Sequence, residues 1–92
     1  MKIPQDIIVR VEREFPHESG GVLQRLVTLR REDARLFSDR ILRCIVQAAG
    51  GSASRVEPLI QLARTDYRDL IVAAQYDAQW NPLRDLSQPF QD

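Results

Sequence analysis

Residues 33–51, with the sequence DARLFSDRILRCIVQAAGG, carry the strongest structural signal in the chain. Asp33 suits a helix N-cap and the glycine pair at 50 and 51 suits a helix end. Between them, one apolar stripe contains Phe37, Ile41, Cys44, Ile45 and Ala48, widened by Leu42, Val46 and Ala49. The opposite, polar side carries Arg35, Asp39 and Arg43. So broad an apolar face predicts a helix over 33–49 at the centre of a small bundle.

The chain before residue 33 predicts two more helices. Helical spacing joins the apolar residues Ile3, Ile7, Ile8, Val11 and Phe15. The β-branched run at 7–9 would also suit a strand, but Pro4 fits the first helical position, which favours a helix over 4–14. A short helix over 19–31 follows, and Ser19 is a candidate for its cap.

The chain after residue 51 predicts one or two helices. Ser54 and Glu57 have the spacing of a capping box, which predicts a helix over 55–64. Asp66 suits an N-cap for a helix over 66–77. The apolar series 56, 60, 63, 67, 70 and 74 also fits one uninterrupted helix. We favour a break at Thr65–Asp66, because two short polar side chains compete for backbone hydrogen bonds.

The predicted elements together indicate an all-α protein. We expect a compact bundle of four to five short helices, at about 4–14, 19–31, 33–49, 55–64 and 66–77. The length of 92 residues suits one domain. We assign the helical domain to residues 1–78 and an extended or partly disordered tail to 79–92, with Phe90 able to fold back onto the body.

Composition and charge exclude several classes of protein. The formal net charge is zero, and 43% of the residues are hydrophobic. This balance argues against a dedicated nucleic-acid or membrane-surface protein and for a globular one. The longest apolar run, 70–74, is too short to span a bilayer, and the first residues lack the apolar segment of a signal peptide. We therefore expect a cytoplasmic protein with no membrane association.

The residue types that usually perform chemistry are scarce. His17 is the only histidine and Cys44 the only cysteine, so an internal disulfide and cysteine-based metal sites are ruled out. Cys44 lies on the apolar stripe, where a free cysteine packs as a small hydrophobe. Capping explains the carboxylate pairs at 32–33 and at 66 and 69. No phosphate-binding glycine loop occurs. We therefore predict no catalytic activity, no metal and no cofactor.

Nucleic-acid binding is the alternative function that the sequence leaves open. Residues 33–64 could form a helix-turn-helix in which Arg55, Gln61 and Arg64 contact DNA. Nearly all of the basic residues are arginines, since Lys2 is the only lysine, and guanidinium groups suit phosphate recognition. GC-rich codon usage explains the same bias. The second helix has little polar surface and the net charge is zero, so nucleic acid is the less favoured partner.

The densest polar and aromatic cluster gives the best candidate for a binding site. It consists of Asp66, Tyr67, Arg68 and Asp69, with Tyr76 and Trp80 two to three helical turns further on. Tyrosine, arginine and tryptophan are enriched at the energetically dominant positions of protein interfaces. A helix cap and core aromatics would account for the same residues. We predict a protein–protein interaction module that binds another protein or a second copy of itself as a homodimer.

Residues 43–77, RCIVQAAGGSASRVEPLIQLARTDYRDLIVAAQYD, resemble the carboxy-terminal part of a group of small uncharacterised bacterial helical proteins. In that group a hydrophobic helix, a glycine turn and a second helix precede an Asp-aromatic-Arg-Asp start to the last helix, here residues 66–69. The resemblance implies a bacterial origin and an all-α fold. It implies no activity and transfers no functional residue.

Overall fold

The computed structural model describes residues 3–76, 79–83 and 85–90. These residues form four α-helices: α1 (Gln5–Glu14), α2 (Ser19–Glu32), α3 (Asp39–Ala49) and α4 (Val56–Gln75). A 3-10 turn, Ala53–Arg55, precedes α4. The predicted all-α bundle is confirmed. In the described ranges, no helix combines the length and the apolar character that crossing a bilayer requires.

Helix α3 forms the centre of the bundle, as its apolar stripe predicts. Most of its residues are buried, and it makes its most extensive contact with α4. The expectation that Arg43 lies on the exposed polar side is wrong, because only 5% of this residue is exposed. A buried guanidinium is tolerated here because Asp6 of α1 pairs with it, with 2.9 Å between Arg43 Nε and Asp6 Oδ2.

Helix α3 begins six residues later than the predicted 33–49 helix. Helix α2 extends to Glu32, and Asp33 starts a separate turn in which its carboxylate accepts a hydrogen bond from Leu36 N at 3.1 Å. Ser38 is the actual N-cap, since its hydroxyl oxygen accepts from Ile41 N at 3.3 Å. The sequence therefore contains two local caps, and the turn between them places Phe37 in the core.

Three other predicted helix starts also change. Pro4 is the N-cap of α1 rather than its first helical residue, and Glu18 rather than Ser19 stands at the N-cap of α2. The capping box at 54 and 57 does not form, because residues 53–55 adopt a 3-10 turn. The Glu57 carboxylate instead pairs with Arg25 at 2.8 Å, which ties the start of α4 to α2.

Helix α4 shows both features that the sequence left open. The helix spans Val56–Gln75, yet it consists of two helical segments that meet at Asp66, whose backbone is non-helical, with φ −156° and ψ 93°. The Asp66 carboxylate accepts a hydrogen bond from Arg68 N at 3.0 Å, as a local cap does. The predicted break at Thr65–Asp66 is thus present, as a kink between the two segments. The predicted helix end at 77 lies outside the described residues.

The described residues after α4 contain no helix and lie against the body of the protein. Tyr76 and Pro82 form an isolated antiparallel bridge, and Leu83 N donates to the Gln75 carbonyl at 2.6 Å. Leu86 is buried in the core, and Phe90 N donates to Asp6 Oδ2 at 3.0 Å. The tail therefore contributes to the packing of the bundle.

Candidate functional site

The structure divides the six predicted recognition residues into two groups. The first group, residues 66–69, surrounds the kink in α4, and all of these residues are exposed. The Asp66 carboxylate caps Arg68 N, and the Arg68 guanidinium lies 6.0 Å from the centre of the Tyr67 ring. Tyr67 is 45% exposed, which is unusually high for so large an aromatic side chain. Tyr67 is the one aromatic residue of this group, and its exposed ring face is available to a partner.

The second group, Tyr76 and Trp80, lies where α4 ends. Their ring centroids are 6.4 Å apart, and the ring planes are tilted by 50°. Trp80 is 69% exposed, and neighbouring Leu83 is 58% exposed. We call residues 79–83 the Trp80 loop. It presents two large apolar side chains to solvent.

Tyr67 also lines an open surface groove, which we call the Tyr67 groove. Its volume is about 520 Å³, larger than two other grooves of about 300 and 160 Å³. It lies between the turn that precedes α3, the first turn of α3 and the second half of α4. The lining residues are Asp33, Arg35, Leu36, Ser38, Arg40, Ile41, Tyr67 and Ile71.

The lining of the Tyr67 groove combines aliphatic and aromatic side chains with an equal number of polar or charged ones. Leu36 and Ile71 are half-buried and Ile41 is buried, so aliphatic surface is reachable from the groove. Arg35 is exposed and forms no hydrogen bond or ion pair within the described part of the chain. The Asp33 carboxylate accepts a hydrogen bond from Leu36 N within its own turn. A ligand would therefore meet aliphatic surface together with an uncommitted guanidinium.

Gln75 connects the Tyr67 groove to the Trp80 loop. Its buried side-chain oxygen accepts hydrogen bonds from Arg40 Nε at 3.1 Å and from Leu86 N at 3.3 Å. Its backbone carbonyl accepts from Leu83 N at 2.6 Å. Gln75 therefore contacts both Arg40, which lines the groove, and Leu83, the last residue of the Trp80 loop. The two predicted groups form separate clusters.

Cys44, the only cysteine in the sequence, does not line this groove. It is fully buried, and burial raises its thiol pKa to about 11, so the reactive thiolate is strongly disfavoured. Across residues 3–76, 79–83 and 85–90, no cluster of three His, Cys, Asp or Glu side chains could hold a metal ion.

Tyr67 is the one predicted recognition residue that lines the groove, and the other lining residues were not among the six. Ile71, half-buried one turn after Tyr67, belongs to the apolar run 70–74 of the last helix. Arg35 and Leu36 were placed on a central helix that in fact starts after them. The i, i+4 spacing of residues 67 and 71 was the one available signal, because it places both side chains on one helix face.

Comparison with protein-family models, curated proteins and solved structures found no significant match to this chain. The resemblance of residues 43–77 to small bacterial helical proteins is thus not accompanied by a family assignment. Any function of the chain has to be argued from its own surface.

Proposed function

We propose that this protein is a protein–protein interaction module and that its binding site is the Tyr67 groove. The carrying observation is that Tyr67, at 45% exposure, borders a groove that is also lined by three aliphatic side chains, Leu36, Ile41 and Ile71. A tyrosine of this kind offers a large apolar face and a polar hydroxyl to a partner. The volume of the groove lies in the range of known binding sites, which combine apolar surface with polar groups that fix orientation.

The physical case for the groove is that filling it would remove apolar surface from water. In the folded protein, part of the side-chain surface of three groove residues remains exposed to solvent: Leu36, Tyr67 and Ile71. A partner side chain inserted among them would gain roughly 25 cal/mol for each Å² of apolar surface that it buries. Arg35 would add a charged hydrogen bond at the edge of the contact.

Nucleic-acid binding has less support from the surface charges. Several arginines are already paired with carboxylates: Arg25 with Glu57 at 2.8 Å, Arg30 with Asp39 at 2.5 Å and Arg64 with Glu32 at 3.1 Å. Arg64 is one of the residues that a helix-turn-helix would use for DNA contact. These pairs offset the positive potential that draws a protein to phosphates.

The test is selection of peptides from a displayed random library on the immobilised protein. Affinities of the selected peptides are then measured by fluorescence anisotropy. Tyr67→Ala and Ile71→Arg should each weaken binding by about tenfold or more, the effect expected of a dominant interface residue. Val9→Arg is the matched control, because Val9 is 46% exposed on α1, outside the groove.

Two results would contradict the proposal. One is a set of selected peptides that bind the wild-type protein and both groove variants equally well. The other is retardation of duplex DNA or RNA by the protein at low salt, lost as salt is raised, with no peptide selected. Circular dichroism of each variant verifies that the helices are retained.

A further inference from the structure

We infer that the occupant of the Tyr67 groove is Trp80 from a second copy of this chain, with the two copies exchanging their tryptophans in a two-fold symmetric dimer. The inference rests on the proposed function, because it names the partner of the same groove. Two neighbouring features of each chain support the inference: the exposed apolar side chain of Trp80 and the Tyr67 groove.

Trp80 has the properties of an inserting side chain. It is 69% exposed, and its backbone lies in the left-handed region with φ +64°. A bulky residue in this region is uncommon and costs free energy, so strong local constraints must hold it there. The Tyr76–Pro82 bridge and the tilted contact between the Tyr76 and Trp80 rings supply such constraints. The backbone that carries the indole is therefore held in place while most of the ring faces solvent.

The groove is chemically complementary to an indole ring. Leu36, Ile41 and Ile71 offer aliphatic surface, and the volume of about 520 Å³ gives the groove ample room. Arg35, which has no partner in the described residues, and Arg40, whose Nε donates to Gln75, also line the groove. The face of an indole carries partial negative charge and attracts guanidinium groups, most strongly among the aromatic side chains. An aromatic occupant therefore suits both the aliphatic side chains and the guanidinium groups of the lining.

The positions of the groove and the loop allow reciprocal exchange. Gln75 accepts hydrogen bonds from Arg40 of the groove and from Leu83 N of the Trp80 loop, so the two features adjoin on the surface. In a two-fold dimer, a contact from loop to groove is necessarily repeated from groove to loop. One complementary pair on each chain therefore provides two equivalent contacts, and the assembly closes at two copies.

The size of the contact predicts a weak dimer. Each indole can bury roughly 150–250 Å², so two fall well short of the roughly 1,200 Å² of a stable interface. Leu83, 58% exposed beside Trp80, and Tyr67 at the groove edge add further area. The formal net charge of zero imposes no overall repulsion between copies. We expect association only at micromolar concentrations or above.

The first experiment uses Trp80 as its own reporter. It is the only tryptophan in the chain, so the emission maximum measures its environment alone. Emission and sedimentation equilibrium are followed from about 1 µM to 1 mM protein. The proposal requires the emission maximum to move to shorter wavelength in step with the dimer fraction. The control Val9→Arg should behave as the wild type does.

The second experiment tests the exchange itself. Trp80→Ala keeps an intact groove but has no tryptophan, whereas Ile71→Arg keeps Trp80 but has a blocked groove. Each variant alone should be monomeric. Titrating excess Trp80→Ala into Ile71→Arg should shift the emission to shorter wavelength, because the remaining indole enters the intact groove. The double variant W80A/I71R as titrant should give no shift, and Tyr67→Ala replaces Ile71→Arg if the latter is unfolded by circular dichroism.

The possible failures are distinguishable. A protein that stays monomeric to about 1 mM, with unshifted emission, overturns the dimer. If peptides still bind the groove in that case, the proposed function stands with a different partner. A dimer that survives Trp80→Ala also overturns the exchange.

Discussion

Arg43 and Asp6 form an ion pair that joins three parts of the molecule. Arg43 Nε and Nη2 donate to the two Asp6 oxygens at 2.9 and 3.2 Å, and Nη1 donates to the Leu86 carbonyl at 3.4 Å. Asp6 Oδ2 also accepts from Phe90 N. Helices α1 and α3 and the tail are therefore held by one network. Each member depends on the others, because an unpaired charge in this setting is costly.

We predict that Arg43→Met lowers the free energy of unfolding by about 2–3 kcal/mol, because it leaves the Asp6 carboxylate half-buried and without its cation. Urea denaturation followed by circular dichroism measures the change. Asp6→Asn should be destabilising as well. The double variant should lose less than the sum of the two single changes, since it buries no unpaired charge. Strict additivity would show that the two side chains are not coupled.

The same pair predicts a pH dependence of stability. Burial alone would raise the pKa of Asp6, but hydrogen bonds from Arg43 and from Phe90 N, with the charge of Arg43, outweigh it and lower the pKa. A carboxyl whose pKa is lower in the folded protein binds protons more readily in the unfolded protein. Its contribution to the free energy of unfolding is therefore complete above the pKa of the unfolded state and is lost as the pH falls through the pKa of the folded state.

We therefore expect the stability difference between wild type and Asp6→Asn to be constant from about pH 7 to pH 5 and to shrink below about pH 4. Urea denaturation at each pH provides the values, and taking the difference cancels the contributions of the other carboxylates. A difference that stays constant down to pH 2.5, with both proteins folded, would contradict the assigned role of Asp6.

The connection between α3 and α4 depends on two glycines with left-handed backbone. Gly50 has φ +58° and ends α3, and Gly51 has φ +84°. A Cβ placed on Gly51 would lie 3.2 Å from the backbone oxygen of Glu14, which cannot move without moving α1. This short connection is what lets the two most extensively packed helices lie side by side.

We predict that Gly51→Ala destabilises the protein by about 1–2 kcal/mol, because the alanine would adopt an unfavourable φ and press on α1. Gly20→Ala is the matched control. Gly20 lies in the first turn of α2, and a Cβ there would meet no atom within 4 Å. That change should stabilise the protein by roughly 0.5–1 kcal/mol. Thermal denaturation of the two variants in the same buffer tests whether Gly51→Ala destabilises and Gly20→Ala stabilises the protein. An equal change in stability would contradict the role given to the left-handed backbone of Gly51.

The sequence indicates the existence and order of the helices because their signal is local. Apolar spacing correctly predicts α1 and α3, and short polar residues mark the irregular point in α4. Helix starts are less predictable, since Asp33 and Ser38 are both good caps and only tertiary packing decides between them. Glu57 had a helix cap available but pairs with Arg25 of α2, a contact separated by 32 residues. Such long-range pairs leave no local signal.

At the scale of the whole molecule, the candidate site depends on contacts that no local pattern contains. Tyr67 stands out by residue type, but the Tyr67 groove exists because the turn after α2 packs beside α4. The position of the Trp80 loop depends on Gln75, which binds Arg40 and Leu86 at once. Tyr67 can therefore be singled out from sequence by its residue type, whereas the groove that it borders requires the fold.

One tail residue, Leu86, belongs to the core, so the stability of the protein should depend on a residue outside the helices. Leu86 is 1% exposed, and its backbone bonds to Gln75 and Arg43. Leu83, only three residues earlier, is 58% exposed. Replacing each leucine by alanine makes the same chemical change at a buried and at an exposed position. The difference in stability between the two variants therefore measures the effect of burial.

We predict that Leu86→Ala lowers the free energy of unfolding by about 2–3 kcal/mol, because it removes buried methyl groups and leaves a cavity. Leu83→Ala should change it by less than about 0.5 kcal/mol, as exposed substitutions usually do. Urea denaturation is run near 1 µM, where the expected dimer is dissociated. Leu86→Ala should also make the tail the first site of proteolysis, since its anchor is weakened. Equal stability of the two variants would show that the tail rests on the bundle without supporting it.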